Sequence, residues 1–384
     1  MTKLFEFPVG YHEFHEEKNF NFQMNRWYSS GYLKYEDLKE TGKKINDYED
    51  CITVMEMLAD KKLKEDKKIE AAFYYRFADF FSQDKKKKEI LYDKFMQLFY
   101  EYLAGHGLKG EIKRHYIPYE DGNLYAIRVK PDQQIKGVIV IHGGGDSYIE
   151  EFYSSFRYFL NEGYEVIAFE GPGQGRPLHK HGLTFLPEWE KPTGTVLDYF
   201  NLDDVTLIGI SFGGYLALRA AAFEKRIKRV VAYDIVYDWL DCATSKGGWF
   251  SGKLIELALK FEIKSVINKA VHSKMEQDTW TRWGMENSMF TTGLDTPYQL
   301  FKSWQKYSLK NISDKINQDV LLMAGENDHS IPLEMYYKQK KALTNANSIE
   351  GRVFTEKEHA ASHCQVGNLK LALEYILNWV DRFY

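Results

Sequence analysis

Cysteine is scarce in this chain: Cys51, Cys242 and Cys364 are the three it has in 384 residues. So odd and sparse a set excludes a disulfide framework and fits a reducing compartment. Long apolar runs are missing as well. No uninterrupted stretch approaches the ~20 residues that a membrane span needs, and residues 1–7 hold no run long enough for a signal peptide. Charge of one sign is not in excess. The formal net charge is −4, which argues against nucleic acid as a main partner. The lysines at 61, 62, 64, 67, 68 and 85–88 are interleaved with Glu65, Asp66, Asp84 and Glu89, the pattern of a solvated helix surface. The expectation is a soluble, cytoplasmic protein without a membrane or nucleic-acid partner.

What is present is more specific. Gly209-Ile210-Ser211-Phe212-Gly213-Gly214 follows the apolar run Val205-Thr206-Leu207-Ile208 and precedes an alanine-rich helical pattern from Tyr215 to Ala222. Strand, glycine-flanked serine and helix in that order make a nucleophile elbow, in which the serine oxygen stands clear at the top of a sheet. Ser211 is therefore the candidate nucleophile.

A serine hydroxyl is a weak nucleophile near neutral pH, so it needs a base and a third group to orient that base. In hydrolases with this elbow the chain order is serine, acid, histidine. Asp319-Val320-Leu321-Leu322-Met323-Ala324-Gly325 reads as a buried strand, and Glu326-Asn327-Asp328-His329-Ser330-Ile331-Pro332 follows it. Asp328 is the preferred acid and Glu326 the weaker candidate; Asp234, which ends the run Arg229-Val230-Val231-Ala232-Tyr233, is held in reserve. The structural alternative for Asp328 is a cap on the helix that starts near Pro332. Beyond the strand Gly351-Arg352-Val353-Phe354-Thr355 stand His359 and His363, ahead of a helix bearing Val366, Leu369, Ile376 and Trp379. His363, just before that helix, is the preferred base. Donors for an oxyanion come from the apolar strand Gly137-Val138-Ile139-Val140-Ile141, which runs into His142-Gly143-Gly144-Gly145-Asp146. The N–H of Phe212 and that of Gly143 or Gly144 are the expected pair. Glu170-Gly171-Pro172-Gly173-Gln174-Gly175 lacks the Lys-Ser/Thr ending of a P-loop and the spacing of a dinucleotide site, so it reads as a tight connection at the pocket rim.

Together these motifs resemble a group within the α/β-hydrolase superfamily, the one containing 2,6-dihydroxypseudooxynicotine hydrolase and the fermentation/respiration switch protein. It lies near the prolyl-oligopeptidase and acylaminoacyl-peptidase branch. The matching residues are Gly143-Gly144-Gly145-Asp146-Ser147 with Glu150-Glu151, the Glu170–175 glycine run, the Ser211 elbow, Asp328, and His363-Cys364-Gln365. The resemblance implies Ser211 as nucleophile, Asp328 as acid, His363 as base and an N-terminal helical region that helps cover the site. Two positions depart from the pattern: Arg176 stands where the group has Glu, and Gly145 where leucine is commoner. The group is catalytically mixed, so three readings stay open. The first is a serine hydrolase acting on a small ester or acyl-peptide, the second a hydrolase of a carbon–carbon bond beside a ketone. The third is a regulatory binding protein with a vestigial site. The triad chemistry requires no metal or organic cofactor.

The expected architecture is an α/β-hydrolase fold, a mostly parallel sheet with helices on both faces. An N-terminal helical domain occupies residues 1–108 and the hydrolase domain residues 109–384. The helical faces read are Ile52, Val54, Met55 and Leu58; Phe73, Phe77, Phe80 and Phe81; and a third running from Ile90 to Leu103. About eighty residues, 236–315, stand where a short crossover would suffice, and they form a helical lid rich in tryptophan. Covered from both sides, Ser211 would meet a small molecule or short peptide, and a homodimer is compatible with the sequence. His12 and His15 among glutamates do not have the H-E-x-x-H spacing, so no metal is expected there.

Overall fold

The computed structural model describes residues 5–106, 112–245 and 249–384, with the backbone alone for residues 249–251. The expected boundary near residue 108 and the side chains of Trp249 and Phe250 lie outside the described residues. Eight strands form one sheet: β1 (Ile112–Tyr119), β2 (Gly122–Val129), β3 (Gly137–His142), β4 (Tyr164–Glu170), β5 (Val205–Ile210), β6 (Ile227–Tyr233), β7 (Asp319–Gly325) and β8 (Ser348–Phe354). Their order is β1-β2-β4-β3-β5-β6-β7-β8. β2 is antiparallel to both β1 and β4, and the other neighbours run parallel. This is the α/β-hydrolase architecture that the motifs imply.

The pleat separates two cores. On β3, Ile139 and Ile141 join one apolar cluster while Val140 joins the other, as period-two alternation requires. The first cluster packs under the helices Tyr153–Asn161 and Leu369–Val380; the second packs under Glu190–Phe200, Gly213–Phe223 and Glu334–Ala342. β4 is buried along its whole length, as a strand covered on both faces should be. β2 was not anticipated. Its signal is the polar pair Glu120-Asp121 followed by Gly122, a two-residue hairpin turn between two apolar-alternating runs.

The N-terminal region holds five helices among the described residues: α1 (Lys18–Ser29), α2 (Tyr35–Gly42), α3 (Tyr48–Lys64), α4 (Lys68–Phe81) and α5 (Lys85–Gly105). α1 and α2 escaped the sequence reading. α1 is rich in asparagine and aromatics, which are poor helix formers, and it is started by the Glu17 carboxylate accepting from the N–H groups of Asn19 and Phe20. α4 also differs from expectation. Instead of presenting one apolar side, it is buried all round from Glu70 to Phe81, because α3 and α5 pack on it while its far side meets the hydrolase core. None of the described helices is long and apolar enough to cross a membrane.

Burial of α4 takes Arg76 and Asp79 with it, and both find charged partners. Arg76 lies 2.7 Å from Asp79 and 2.8 Å from Glu151, and Arg26 of α1 lies 2.7 Å from the same Glu151. Trp27 and Tyr148 donate to the carboxylates of Glu151 and Asp79, respectively. Two N-terminal helices are thereby tied to the segment that follows β3. Removing one member of such a buried set leaves an uncompensated charge. Arg76→Ala should cost about 3–5 kcal/mol of stability, whereas Lys87→Ala, which breaks the half-exposed pair with Glu56, should cost no more than about 1 kcal/mol. Urea unfolding of the two variants checks the difference.

Candidate active site

β5 ends at Ile210, and Ser211 follows with φ of +64°, a left-handed backbone, before the helix Gly213–Phe223 begins. The glycines around it are steric necessities. A Cβ on Gly209 would lie 1.9 Å from the carbonyl oxygen of Gly213, and one on Gly214 would lie 1.9 Å from that of Asp234. Strand, helix and the end of β6 thus approach more closely than any side chain allows. The Ser211 N–H donates to the Tyr233 carbonyl at 2.6 Å, which fixes the turn to β6. Its Oγ lies 2.8 Å from Nε2 of His363.

His363 is buried, and its other ring nitrogen faces two carboxylates. Nδ1 lies 2.7 Å from Asp328 Oδ2 and 3.0 Å from Asp234 Oδ2. Asp328 faces the histidine and does not cap the helix Glu334–Ala342, whose N-terminus has no side-chain cap. Its Oδ1 accepts from the N–H groups of Ser330 and Ile331, turning the loop toward the next helix, while Oδ2 meets His363. Asp234, the reserve candidate, accepts from the Cys364 N–H at 2.6 Å and from the Gln365 side-chain amide at 3.1 Å. The sequence places Asp234 at a strand end but gives no sign that it shares a histidine with Asp328.

The three groups shift one another. Burial works against a charged His363, yet the Asp328 charge and the hydrogen bonds of both aspartates outweigh it and raise the imidazole well above its ordinary value. Burial raises the Asp328 carboxyl, and the Asp234 charge adds to this against the pull of His363. Asp234 moves the other way: burial opposes its charge, but bonds from His363 and the Cys364 N–H hold it below the usual range.

The glycine loop after β3 lies against the elbow. A Cβ on Gly144 would meet the Phe212 nitrogen at 2.9 Å, so the backbones of Gly144 and Phe212 sit side by side next to Ser211. The loop is braced from behind. Gln174, in the glycine run after β4, donates to the carbonyls of Gly143 and Gly144 at 2.8 and 2.9 Å, and Arg76 donates to the carbonyl of Asp146. Gly143 packs differently, with Ser147 Oγ 2.3 Å from where its Cβ would be. The Glu170–175 run, read as a rim connection, is thus a brace through Gln174.

Glu326 and His359 stay out of this site. Both are exposed, and Glu326 instead accepts from the Glu356 N–H. His12 packs among Phe14, Tyr28 and Tyr35, and both ring nitrogens of His15 meet backbone groups, of Ile45 and Glu17. Among the described residues, the group of close metal-type ligand atoms is Asp234, His363 and Cys364, which belongs to the site just described. Two cavities meet at Ser211 and His363, and α1 borders both through Phe22, whose ring centroid lies 6.0 Å from that of His363. Sequence reasoning missed Phe22 because it missed α1.

The family described as alpha/beta hydrolase fold matches residues 137–364. Hydrolase LUC6 of Fusarium sp is 30% identical over 304 residues, 72% of this chain and 70% of that protein. Hydrolyase ccsE of Aspergillus clavatus is 32% identical over 237 residues, 54% of this chain and 51% of its own length. The match to the latter thus spans about half of the relative. The crystal structure of the 2,6-dihydroxy-pseudo-oxynicotine hydrolase has a TM-score of 0.64 at 17% identity, covering 92% of this chain and 94% of that one. That likeness is one of fold.

The paired carboxylates predict an imidazole that holds its proton unusually long. Because its folded value is raised, the stability that His363 contributes is complete below the ordinary imidazole value of 6.5 and is lost as pH rises through the folded value. Nitrogen-detected NMR of the free protein should show His363 still protonated at both nitrogens above pH 6.5. Asp328→Asn and Asp234→Asn should each lower its titration midpoint. A wild-type midpoint below 6.5 would contradict this account.

Proposed function

The chain belongs to the alpha/beta hydrolase fold family and is a hydrolase of that family, and from that premise we propose that it is a serine hydrolase acting on small, apolar esters. The observation that carries the reading is the unbroken chain of contacts from Ser211 Oγ to His363 Nε2 at 2.8 Å and from His363 Nδ1 to Asp328 at 2.7 Å. His363 takes the Ser211 proton as Oγ attacks the ester carbonyl, and Asp328 orients the imidazole and stabilises its positive form. The N–H groups of Phe212 and Gly144 bind the oxyanion of the tetrahedral intermediate. His363 then gives its proton to the leaving oxygen, the alcohol departs and an acyl group remains on Ser211. Water, activated by the same imidazole, attacks the acyl-enzyme; the acid leaves and Ser211 recovers its proton.

Esters are favoured over acyl-peptides by the lining of the larger cavity. Trp239, Trp283, Phe301 and Trp304 dominate it. Its charged residues besides His363 are Asp146, which Arg26 approaches to 3.6 Å, and Lys274 at the exposed rim. The aromatic rings offer an apolar alcohol a broad contact surface, with polar side chains such as Gln23, Asn287 and Ser288 set between them.

A 4-nitrophenyl ester and an N-acetyl-alanyl anilide, each offered to the wild type and to Ser211→Ala, test the reading. Ester turnover should fall in the variant by on the order of 10⁴–10⁶, and the anilide should be turned over slowly or not at all. If Ser211→Ala cleaves the ester as fast as the wild type, Ser211 is not the nucleophile.

A further inference from the structure

The space around Ser211 is divided unequally. On one side lies a cavity of about 80 Å³, and on the other a cavity of about 510 Å³; Ser211 and His363 border both. The small one reaches between the sheet and its covering helices. Its walls are Ile141 and Ile208 at the ends of β3 and β5, Phe156 and Phe159 of the helix Tyr153–Asn161, and Leu373 and Ile376 of the helix Leu369–Val380. Each of the six is at most 3% exposed, so these walls belong to the packed interior and give little. The charges at its edge are satisfied by one another: Arg26 pairs with Glu151 at 2.7 Å and approaches Asp146 to 3.6 Å.

The large cavity is built differently. Its walls come mostly from the helices between β6 and β7, among them Trp239, Val271, Trp283 and Phe301, and from Phe22 of α1. Lys274 marks an exposed edge. A cavity of this volume is in the range that holds a drug-sized ligand, whereas one of about 150 Å³ holds benzene. The small cavity is about half of that, room for a group of two to four heavy atoms.

We propose that the substrate is a short-chain acyl ester of a bulky, uncharged, apolar alcohol, with the acyl group seated in the small cavity and the alcohol in the large one. This rests on the serine-hydrolase reading above and adds the direction in which the ester lies. The order of bond breaking supports that direction. The Ser211 Oγ–acyl bond forms, the bond from acyl carbon to alkoxy oxygen breaks, and His363 protonates the departing oxygen. The alcohol must then leave before water can reach the acyl-enzyme, so it belongs on the side with an exposed edge. The acyl group stays bound to Ser211 through that step and can occupy the side walled by the packed interior.

Two isomeric esters separate the arrangements. 2-Naphthylmethyl acetate carries a small acyl group and a bulky alcohol; methyl 2-naphthylacetate reverses them with the same atoms. Each rate is divided by the ester's own hydroxide hydrolysis rate, and 4-nitrophenyl esters from acetate to octanoate are measured beside them. All are run with wild type, Ser211→Ala and Leu373→Ala, with Ile376→Val in place of the last if it fails to fold. The proposal expects Ser211-dependent kcat/KM at least 100-fold higher for the acetate isomer. It also expects a fall of about 10-fold or more for each methylene beyond the space available, and a preferred acyl length that grows by one or two carbons in the truncated-wall variant. Ser211-dependent turnover with equal rates or the reverse preference overturns the partition and leaves the serine-hydrolase reading standing. No Ser211-dependent turnover of any ester overturns that reading, and the partition with it.

Discussion

Four non-glycine residues hold left-handed backbone where β5, β6 and the segment after β8 converge: Ser211, Asp234, Cys364 and Gln365. Each such residue costs on the order of 1–3 kcal/mol and persists only when its surroundings dictate it. Here much of that dictation comes from one buried carboxylate. Asp234 accepts from the Cys364 N–H and the Gln365 amide, which pins the two strained residues directly after His363 and aims the imidazole at Ser211. The same carboxylate reaches His363 Nδ1. The geometry of the histidine therefore depends on a side chain at the end of β6, and its electrostatics on that carboxylate together with Asp328. Asp328, on the loop after β7, supplies the second contact, and the sequence pattern draws attention to it first.

A second constraint acts from outside the hydrolase sheet. The glycine loop beside Ser211 has little side chain of its own to hold it, and loops of that kind are mobile unless braced. Gln174 braces it through two carbonyls, and Arg76 of α4 through a third. Because Arg76 is also bound to Glu151 and Asp79, the N-terminal helices do more than shield the site. Their buried charges fix the position of the backbone that would face an oxyanion, and Phe22 of α1 walls the space a substrate would enter.

The parts of the molecule legible in the sequence are those written in local patterns. The elbow is legible because glycine spacing, a β-branched run and an alanine-rich helix coincide between Val205 and Ala222. Asp328 and His363 are legible because each sits between a strand pattern and a helix pattern. α1 was not, since its asparagines and aromatics are weak helix formers, nor was α2, whose eight residues are too few for a periodic pattern to stand out; tertiary packing decides the burial of both. The closed burial of α4 could not be read from its phenylalanines, because Arg76 and Asp79 look like a solvent face until Glu151, 75 residues beyond Arg76, is found against the guanidinium and Lys88 beside the Asp79 carboxylate. The share of His363 taken by Asp234 was hidden for the same reason. It depends on two strands and a loop meeting, and no spacing along the chain encodes that.

The central claim is that Ser211 is a nucleophile activated by His363. Reaction with a fluorophosphonate, followed by mass spectrometry of the digested protein, tests it without knowledge of the substrate. The account predicts a stoichiometric phosphonyl adduct on the peptide containing Ser211, formed more slowly as pH falls below the His363 midpoint and absent in His363→Ala. An adduct on another residue, or a Ser211 adduct that forms at the same rate in His363→Ala, would contradict it.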